Sequence, residues 1–498
     1  MAKPIKWLLY AFGTLFSFLL LVVVVARLYV GSIDVQSLLS LADLLPPPGV
    51  AKNIKVPPGF SIGVYAEGLG SPRVLRFSRR GDLLFSNPQQ NRVEILTRDY
   101  NDDYKADGRR ILIDDLNSPN GLDFYGEWLY IAESDSIGRV RFNHAEGKLE
   151  GEYERIVTGL PDGGNHSKKT LRFGEDGRMY VTMGSSCNAC IERDERRAAM
   201  VRYSADGSNE TIIARGLRNS AGFDWSPVDG QIYATDNGRD MLGDDFPPCE
   251  LNKIEEGKHF GWPFANGDKV PDPDFGDGNE SIIRSSISPV FGFNAHNAPL
   301  GIEFVRSEKF PDTYWGAAIV ALHGSWNRSE KDGYKVVSLH WDESGNITQK
   351  DFVSGLLVDG QAFGRPAEVT EGPDGAFYIS DDYADVIYRV AFGEVQTEFE
   401  LNAAKKFSAG ETLATLSEQA LQDFSGDGLR LYQQFQCVGC HQDSALGLKQ
   451  LDGLGEKYDL ETLSAYLKNP NAPMPLFPMD DEQRRAVSVY LIERYPGH

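Results

Sequence analysis

The sequence predicts an all-β six-bladed β-propeller, preceded by an N-terminal transmembrane helix and followed by a small all-α domain. Three observations predict it. Six short segments repeat one turn-then-strand pattern, a single unbroken apolar run lies at the N-terminus, and the last 75 or so residues trade strand pattern for helical spacing.

The repeats are residues 81–86, 127–132, 177–182, 230–235, 315–320 and 375–380. Each is rich in aromatic and β-branched residues, and most are bounded by Gly or Asp, the composition of a strand leaving a turn. Their spacing is near 50 residues, apart from one interval of about 86 that must hold an insertion. A regular period of about 40–50 residues with several strands per unit is the signature of a propeller. The repeats place this body at residues 56–395 and count six blades, a count of five or seven also fitting the spacing. Some 10–14 residues before most of these strands stands a loop entering another strand. Those loops carry Pro72-Arg73, Pro119-Asn120, His166, Arg218-Asn219, His296-Asn297 and Arg365-Pro366. Equivalent stations of every blade surround one axis, so the pattern gathers arginine, asparagine and histidine into a funnel suited to an anionic ligand. Taken singly, each could be a residue capping a turn.

At the N-terminus, Lys3 and Lys6 precede the apolar residues 7–26, about 20 residues and long enough to cross a hydrocarbon core of ~30 Å. The run is longer than a cleavable signal's apolar region and exits through Arg27, so residues 1–30 are expected to be an uncleaved anchor. The positive-inside rule puts the two lysines in the cytoplasm and the rest outside it. Residues 31–55, with Pro46-Pro47-Pro48-Gly49, fit a tether. The formal net charge of −22 excludes nucleic acid as a partner and a basic face for anionic lipid.

After a linker at residues 396–426 comes Cys437-Val438-Gly439-Cys440-His441. This is the attachment pattern of a c-type haem: Cys437 and Cys440 each add to a vinyl group, and His441 lies under the iron. A short amphipathic helix at 428–435 leads into the motif, and Met474-Pro475 precedes a helix starting near Asp480-Asp481-Glu482. That order resembles class I cytochromes c over residues 427–498. The resemblance implies Met474 as distal ligand, with Met479 the competitor. Haem c is attached on the periplasmic side, so anchor and haem motif together predict a bacterial inner-membrane protein with its body in the periplasm.

The long interval opens with residues 236–252, rich in Asp, Asn, Gly and Pro. Oxygen donors in that density favour calcium, a solvated acidic loop being the alternative. Cys187 and Cys190 form a second Cys-x-x-Cys, but Ile191 follows, which excludes haem attachment. An oxidising compartment makes a loop disulfide the first expectation, with a redox-active or metal-binding pair the alternative. Cys249 is left over and expected to be buried.

Several motifs taken together are similar to the glucose/sorbosone dehydrogenase family over roughly residues 55–395. They are residues 165–173 with 176–180, Gly216-Leu217-Arg218-Asn219, Glu250-Leu251-Asn252, Gly261-Trp262-Pro263, residues 323–328 and Gly364-Arg365-Pro366. Members are six-bladed propellers that bind pyrroloquinoline quinone (PQQ) with calcium and oxidise sugars. The resemblance implies His166 as the base taking the hydroxyl proton, and Arg218, Asn219 and Arg365 as cofactor contacts, with Arg328 near a further one. It implies the backbone carbonyls of Gly238 and Arg239 as calcium ligands, although the soluble glucose enzymes have Gly-Pro where this chain has Gly-Arg. The expectation is a membrane-anchored quinohaemoprotein. It would oxidise a sugar or related aldehyde or alcohol and pass electrons through its own haem to a respiratory acceptor. Two other classes fit parts of the pattern. A calcium-dependent propeller lactonase would contain no quinone. A non-catalytic docking propeller carrying the cytochrome would not bring His166 and Arg218 to one cavity.

Overall fold

The computed structural model describes residues 54–394, 408–435, 437, 441, 451, 454–468, 470 and 477–496. The apolar run, most of the tether, Cys440 and Met474 lie outside the described residues. Among the described residues, no helix is long and apolar enough to cross a membrane.

Each repeated segment becomes the second strand of a four-stranded antiparallel sheet. These strands are Leu83–Asn87, Trp128–Ala132, Met179–Met183, Ile232–Asp236, Ala318–Leu322 and Phe377–Asp381. A second strand has a partner on each edge and a neighbouring blade against each face, so it is buried almost throughout. Such a strand must be continuously apolar, and the repeat is legible for that reason. Outer strands such as Lys148–Thr158 have mostly exposed residues and leave a weaker signature.

The first strands are Leu75–Phe77, Gly121–Tyr125, Lys169–Phe173, Phe223–Trp225, Pro299–Phe304 and Pro366–Glu371. They lie against one another around the axis. Blades 1 to 5 take their four strands in chain order, with a short two-residue strand added to the edge of blade 3. The sixth is completed by the N-terminal strand Phe60–Ala66, which pairs antiparallel with Val386–Phe392, Ser61 opposite Ala391. This closes the ring and removes its free edge. The core is therefore six wedges rather than one: a separate apolar cluster fills each interface between neighbouring blades.

The first strands also line the axis with charge. Arg172 of blade 3 bridges Asp224 of blade 4 at 3.1 Å and Glu303 of blade 5 at 3.5 Å. Arg306 holds the other oxygen of Asp224 at 2.9 Å. Arg76 and Asp123 face each other across blades 1 and 2 at 3.7 Å.

The long interval falls in blade 4. The acidic loop connects its second strand to Cys249–Lys253, and residues 254–290 then carry a small hairpin and the helix Glu280–Ser285 before the strand Phe291–Phe293. Cys249 is buried, as expected.

A separate cluster gathers the C-terminal helices Ala409–Leu413, Glu418–Gln434, Leu460–Lys468 and Asp481–Arg494. The helical unit starts earlier than the expected boundary at residue 427. Ser417 caps the long helix by accepting from the Ala420 amide, and Ala409 is already part of the helical core. The sequence pattern puts Gly426 in the linker and Gly428 at the start of a short helix, yet both sit inside one longer helix. Gly428 serves packing: a Cβ there would fall 2.1 Å from the Ala486 carbonyl of the terminal helix. Cys437 packs partly buried against this cluster, and the His441 amide donates to the Cys437 carbonyl at 3.1 Å, one helical turn. Met479 is buried there just before the Asp480 cap.

Candidate functional site

The stations flagged in the sequence all lie at the start of a first strand, or just before it, and so ring one end of the axis. His166 precedes the first strand of blade 3. Its Nδ1 lies 2.9 Å from the Ser185 hydroxyl oxygen and 3.1 Å from the Ser185 carbonyl. The Ser185 hydroxyl spends its own proton on the Cys187 carbonyl at 2.7 Å. Both atoms facing Nδ1 are therefore acceptors, which puts the ring proton on Nδ1 and the lone pair on Nε2. Nε2 has no hydrogen-bond partner among the described residues. Burial, reinforced by the nearby Arg218 guanidinium, holds the imidazole pKa down to about 3, so the ring is neutral at pH 7. Asn219 stands beside it. Both press on Gly184, where a Cβ would fall 2.5 Å from the His166 Cβ and 2.6 Å from the Asn219 Oδ1.

Arg218 is buried, with most of its donors committed. Its guanidinium donates to the Asn188 carbonyl and side-chain oxygen, both at 2.9 Å, to the Asn237 carbonyl at 3.0 Å and to Asp240 at 2.9 Å. Four of its five N–H donors are spent, which leaves one Nη1 hydrogen and the planar faces for a ligand. Asp236 clamps the backbone, accepting from the amides of Arg218 and Asn219 at 2.9 and 2.5 Å. Asn188 is the residue that sequence reasoning missed. It sits inside the Cys187–Cys190 pair, which is a disulfide as expected, and it holds Asp240 through both amide and carbonyl.

Across the funnel, Arg365 donates to the carbonyls of His323 and Gly324, each at 3.0 Å, and its guanidinium lies over the Tyr334 ring. His323 Nε2 meets Asp382 at 2.8 Å, and Arg73 takes the other oxygen of that carboxylate. Those partners hold the Asp382 carboxyl far below its usual range. Arg328 differs from the sequence expectation. Its donors go to Asp244, Asp245, Ala295 and Glu330, so it braces the acidic loop.

The acidic loop closes over a small cavity of about 20 Å³ lined by Asp236, Asn237, Gly238, Arg239, Pro247, Pro248 and Glu250, among others. That volume suits a single water or ion. Glu250 is partly buried, and desolvation pushes its carboxyl up to about 7. Asp236 is raised by burial and by Glu250. The Asn237 side-chain oxygen is buried without a partner. Gly238 gives room, since a Cβ there would fall 2.6 Å from the Pro248 carbonyl. Two carboxylates, an orphaned amide oxygen and close-set carbonyls form an all-oxygen donor set, which fits a hard cation. The Arg239 guanidinium is taken up by Asp272 and Asp274, so only its backbone carbonyl could join an oxygen donor set.

A family model described as TrAA12-like matches residues 54–254 and 252–391. The chain belongs to the TrAA12-like family.

A relative from Borreliella burgdorferi (strain B31), an uncharacterized protein, is 31% identical over 364 residues, covering 70% of this chain and 93% of the relative. The C-terminal part is similar to cytochrome c-551 of Bacillus subtilis (strain 168), 33% identical over 72 residues, 14% of this chain and 63% of that protein. Among solved structures, a calcium structure of the Trichoderma reesei carbohydrate-active enzyme family AA12 overlays at TM-score 0.60 with 20% identity, covering 70% of this chain and 98% of the other. The holo PQQ domain of Coprinopsis cinerea pyranose dehydrogenase overlays at 0.58 with 20% identity, covering 68% and 97%. At those identities the likeness is one of fold. In this TrAA12-like propeller, His166, Arg218, Asn219 and Arg365 are gathered at one end of the axis as the sequence implied, and Gly238 and Arg239 flank the small cavity.

Proposed function

We propose that the protein is a PQQ- and calcium-dependent dehydrogenase of sugars or related alcohols and aldehydes, with the TrAA12-like propeller as catalytic domain. The observation that carries this reading is His166, a neutral imidazole with its proton fixed on Nδ1 and Nε2 unpartnered. It stands among arginines that suit a polycarboxylate. PQQ, when bound, supplies a two-electron acceptor for hydride. Family membership and the shared fold of the pyranose dehydrogenase PQQ domain support the assignment.

In the proposed mechanism, His166 Nε2 takes the proton of the reacting hydroxyl as its carbon is oxidised. Ser185 keeps the ring oriented and charges on the imidazolium's Nδ1–H side are met by two acceptors, which favours the protonated product state. Arg218 offers a guanidinium face, Asn219 and Arg365 offer polar donors, and the cavity beside Glu250, Gly238 and Arg239 would hold calcium. Asp240 beside Arg218 stabilises positive charge appearing on His166.

The proposal extends to the flanks. Cys437 and Cys440 would carry haem c, with His441 and Met474 as iron ligands, and the cytochrome c-551 likeness supports this. Residues 1–30 would anchor the chain in a bacterial inner membrane with both domains in the periplasm, handing electrons to a respiratory acceptor. The decisive experiment adds PQQ and calcium to the purified protein, offers a panel of aldoses and polyols, and records haem and quinone spectra by stopped flow. Haem reduction at a rate independent of protein concentration is expected. Activity that needs calcium but no quinone would replace this reading with a lactonase.

A further inference from the structure

Lys168 and Lys169 are neighbours in sequence with opposite fates. Lys169 is enclosed between blades 2 and 3, where its ammonium donates to three carbonyls, those of Ser134, Pro161 and Ser167. From Lys169 to Phe173 the chain is a strand, so residues two apart share a face, with Thr170 and Arg172 opposite Lys169. His166 and Lys168 stand just before it at the end of the axis. Thr170 and Arg172 both reach to blade 4, bonding the carbonyls of Ala221 and Phe223. Lys168 has no hydrogen bond or ion pair among the described residues. Arg73 of blade 1 and Asp382 of blade 6 are the charged groups close enough to act on its ammonium, and it stands two residues from His166 at the same end of the axis.

The charges around it do not balance. Arg73 and Asp382 form an ion pair and cancel. His323, on the other side of Asp382, is held largely neutral by burial, its pKa lowered to about 4. Asp381 accepts from the backbone amides of Arg365, Tyr383 and Ala384 and from the Tyr388 hydroxyl, and Asp385 from the Ser71 amide. On the His166 side, Arg218 is neutralised by Asp240. The ammonium of Lys168 and the guanidinium of Arg365 are left without a carboxylate. Both residues are only partly buried, so their charges face the funnel, where an anionic ligand can supply the missing counter-charge.

We propose that Lys168 is an anion-binding residue of the funnel, holding a carboxylate of the bound quinone together with the free donors of Arg73. The inference rests on the PQQ reading above and deepens it. It moves the charge-bearing anchor from Arg218, whose charge is already paired with Asp240, to Lys168, Arg73 and Arg365.

The test is equilibrium titration of the calcium-loaded, quinone-free protein with PQQ, followed by quenching of tryptophan fluorescence. Lys168→Met should bind PQQ about 10- to 100-fold more weakly, the range for losing one charge-assisted hydrogen bond, while Lys168→Arg stays near wild type. The uncharged trimethyl ester of PQQ should bind wild type and Lys168→Met alike. Without quinone, Lys168→Met should unfold at a higher temperature than wild type, because an unpaired cation has been removed. Equal PQQ affinity in Lys168→Met and wild type overturns the inference alone. A lower unfolding temperature for Lys168→Met shows a structural cation and also overturns it. No PQQ binding by wild type removes the quinone reading, and this inference with it.

Discussion

The hydroxyl of Ser185 faces two ways, and its direction decides what His166 can do. Because the hydroxyl donates to the Cys187 carbonyl, it can only accept from Nδ1, and Nε2 is left as the base. Ser185→Ala keeps the carbonyl contact but loses the hydroxyl, so turnover should fall about two- to tenfold, the worth of one hydrogen bond. His166→Ala should cost roughly 10²–10⁴-fold, the usual span of acid–base catalysis, with PQQ still bound. Near-normal turnover in His166→Ala would remove the residue from the mechanism. Since the imidazole pKa is held down to about 3, kcat/KM measured against pH should show no acid limb near 6.5. Gly184→Ala tests the close approach directly. Its methyl group would collide with His166 and Asn219, and a large loss of turnover without loss of folded protein is expected.

Strands and helices carry the next set of consequences. The strand Phe60–Ala66 closes the ring from the far end of the propeller sequence, 330 residues from the partner Ala391 that faces Ser61. Removing residues up to 66 should expose the edge of Val386–Phe392, lower the unfolding temperature and promote association through that edge. Calorimetry and light scattering would show both. On the axis, Arg172 pairs with carboxylates of two blades and shares Asp224 with Arg306. Arg172→Met leaves Asp224 with Arg306 only and Glu303 with the weaker pull of Arg76 and Arg306, which should cost about 3–5 kcal/mol in denaturant unfolding. In the helical unit, Gly428→Val should force apart the helices Glu418–Gln434 and Asp481–Arg494. Lower thermal stability of the helical unit at unchanged propeller activity with a dye acceptor would be its signature, together with an altered spectrum of the proposed haem.

For the whole molecule, pH acts through buried acids that the ring encloses. Glu368 is fully buried on the axis, and burial raises its carboxyl from 4.5 to about 7 against the pull of Arg76 and Arg172. The folded protein then keeps a proton that the unfolded chain releases above 4.5. Stability from this group is present in full below 4.5, falls as pH rises toward 7 and is level above it. Glu368→Gln should flatten that fall, so wild type should lose more stability than the variant between pH 5 and 7.5. Equal losses in urea titrations of both would show that Glu368 does not titrate in this window. The propeller and the helical unit have separate cores, so a chain ending at residue 395 should still oxidise substrate with an artificial dye. It should fail to reduce the physiological acceptor.

Six blades were legible because a second strand, shielded on both edges and both faces, has to be written in apolar and β-branched residues whatever its loops do. The station residues were legible as well, because each precedes a first strand and the ring's symmetry sends them to one end. His166, Arg218, Asn219 and Arg365 follow from that alone. The partners that give these residues their chemistry come from distant parts of the chain. Asn188 reaches Arg218 across 30 residues, and Arg73 meets Asp382 across 309. Only the closed ring decides that Arg328 braces the acidic loop, that Arg218 is neutralised, and that Lys168 is left unpaired. Gly426 makes the same point in reverse: its local signal is a break in structure, yet it sits inside the helix Glu418–Gln434. Sequence periodicity reports burial, which each strand carries for itself. Charge balance is a property of neighbours, and neighbours exist only after folding.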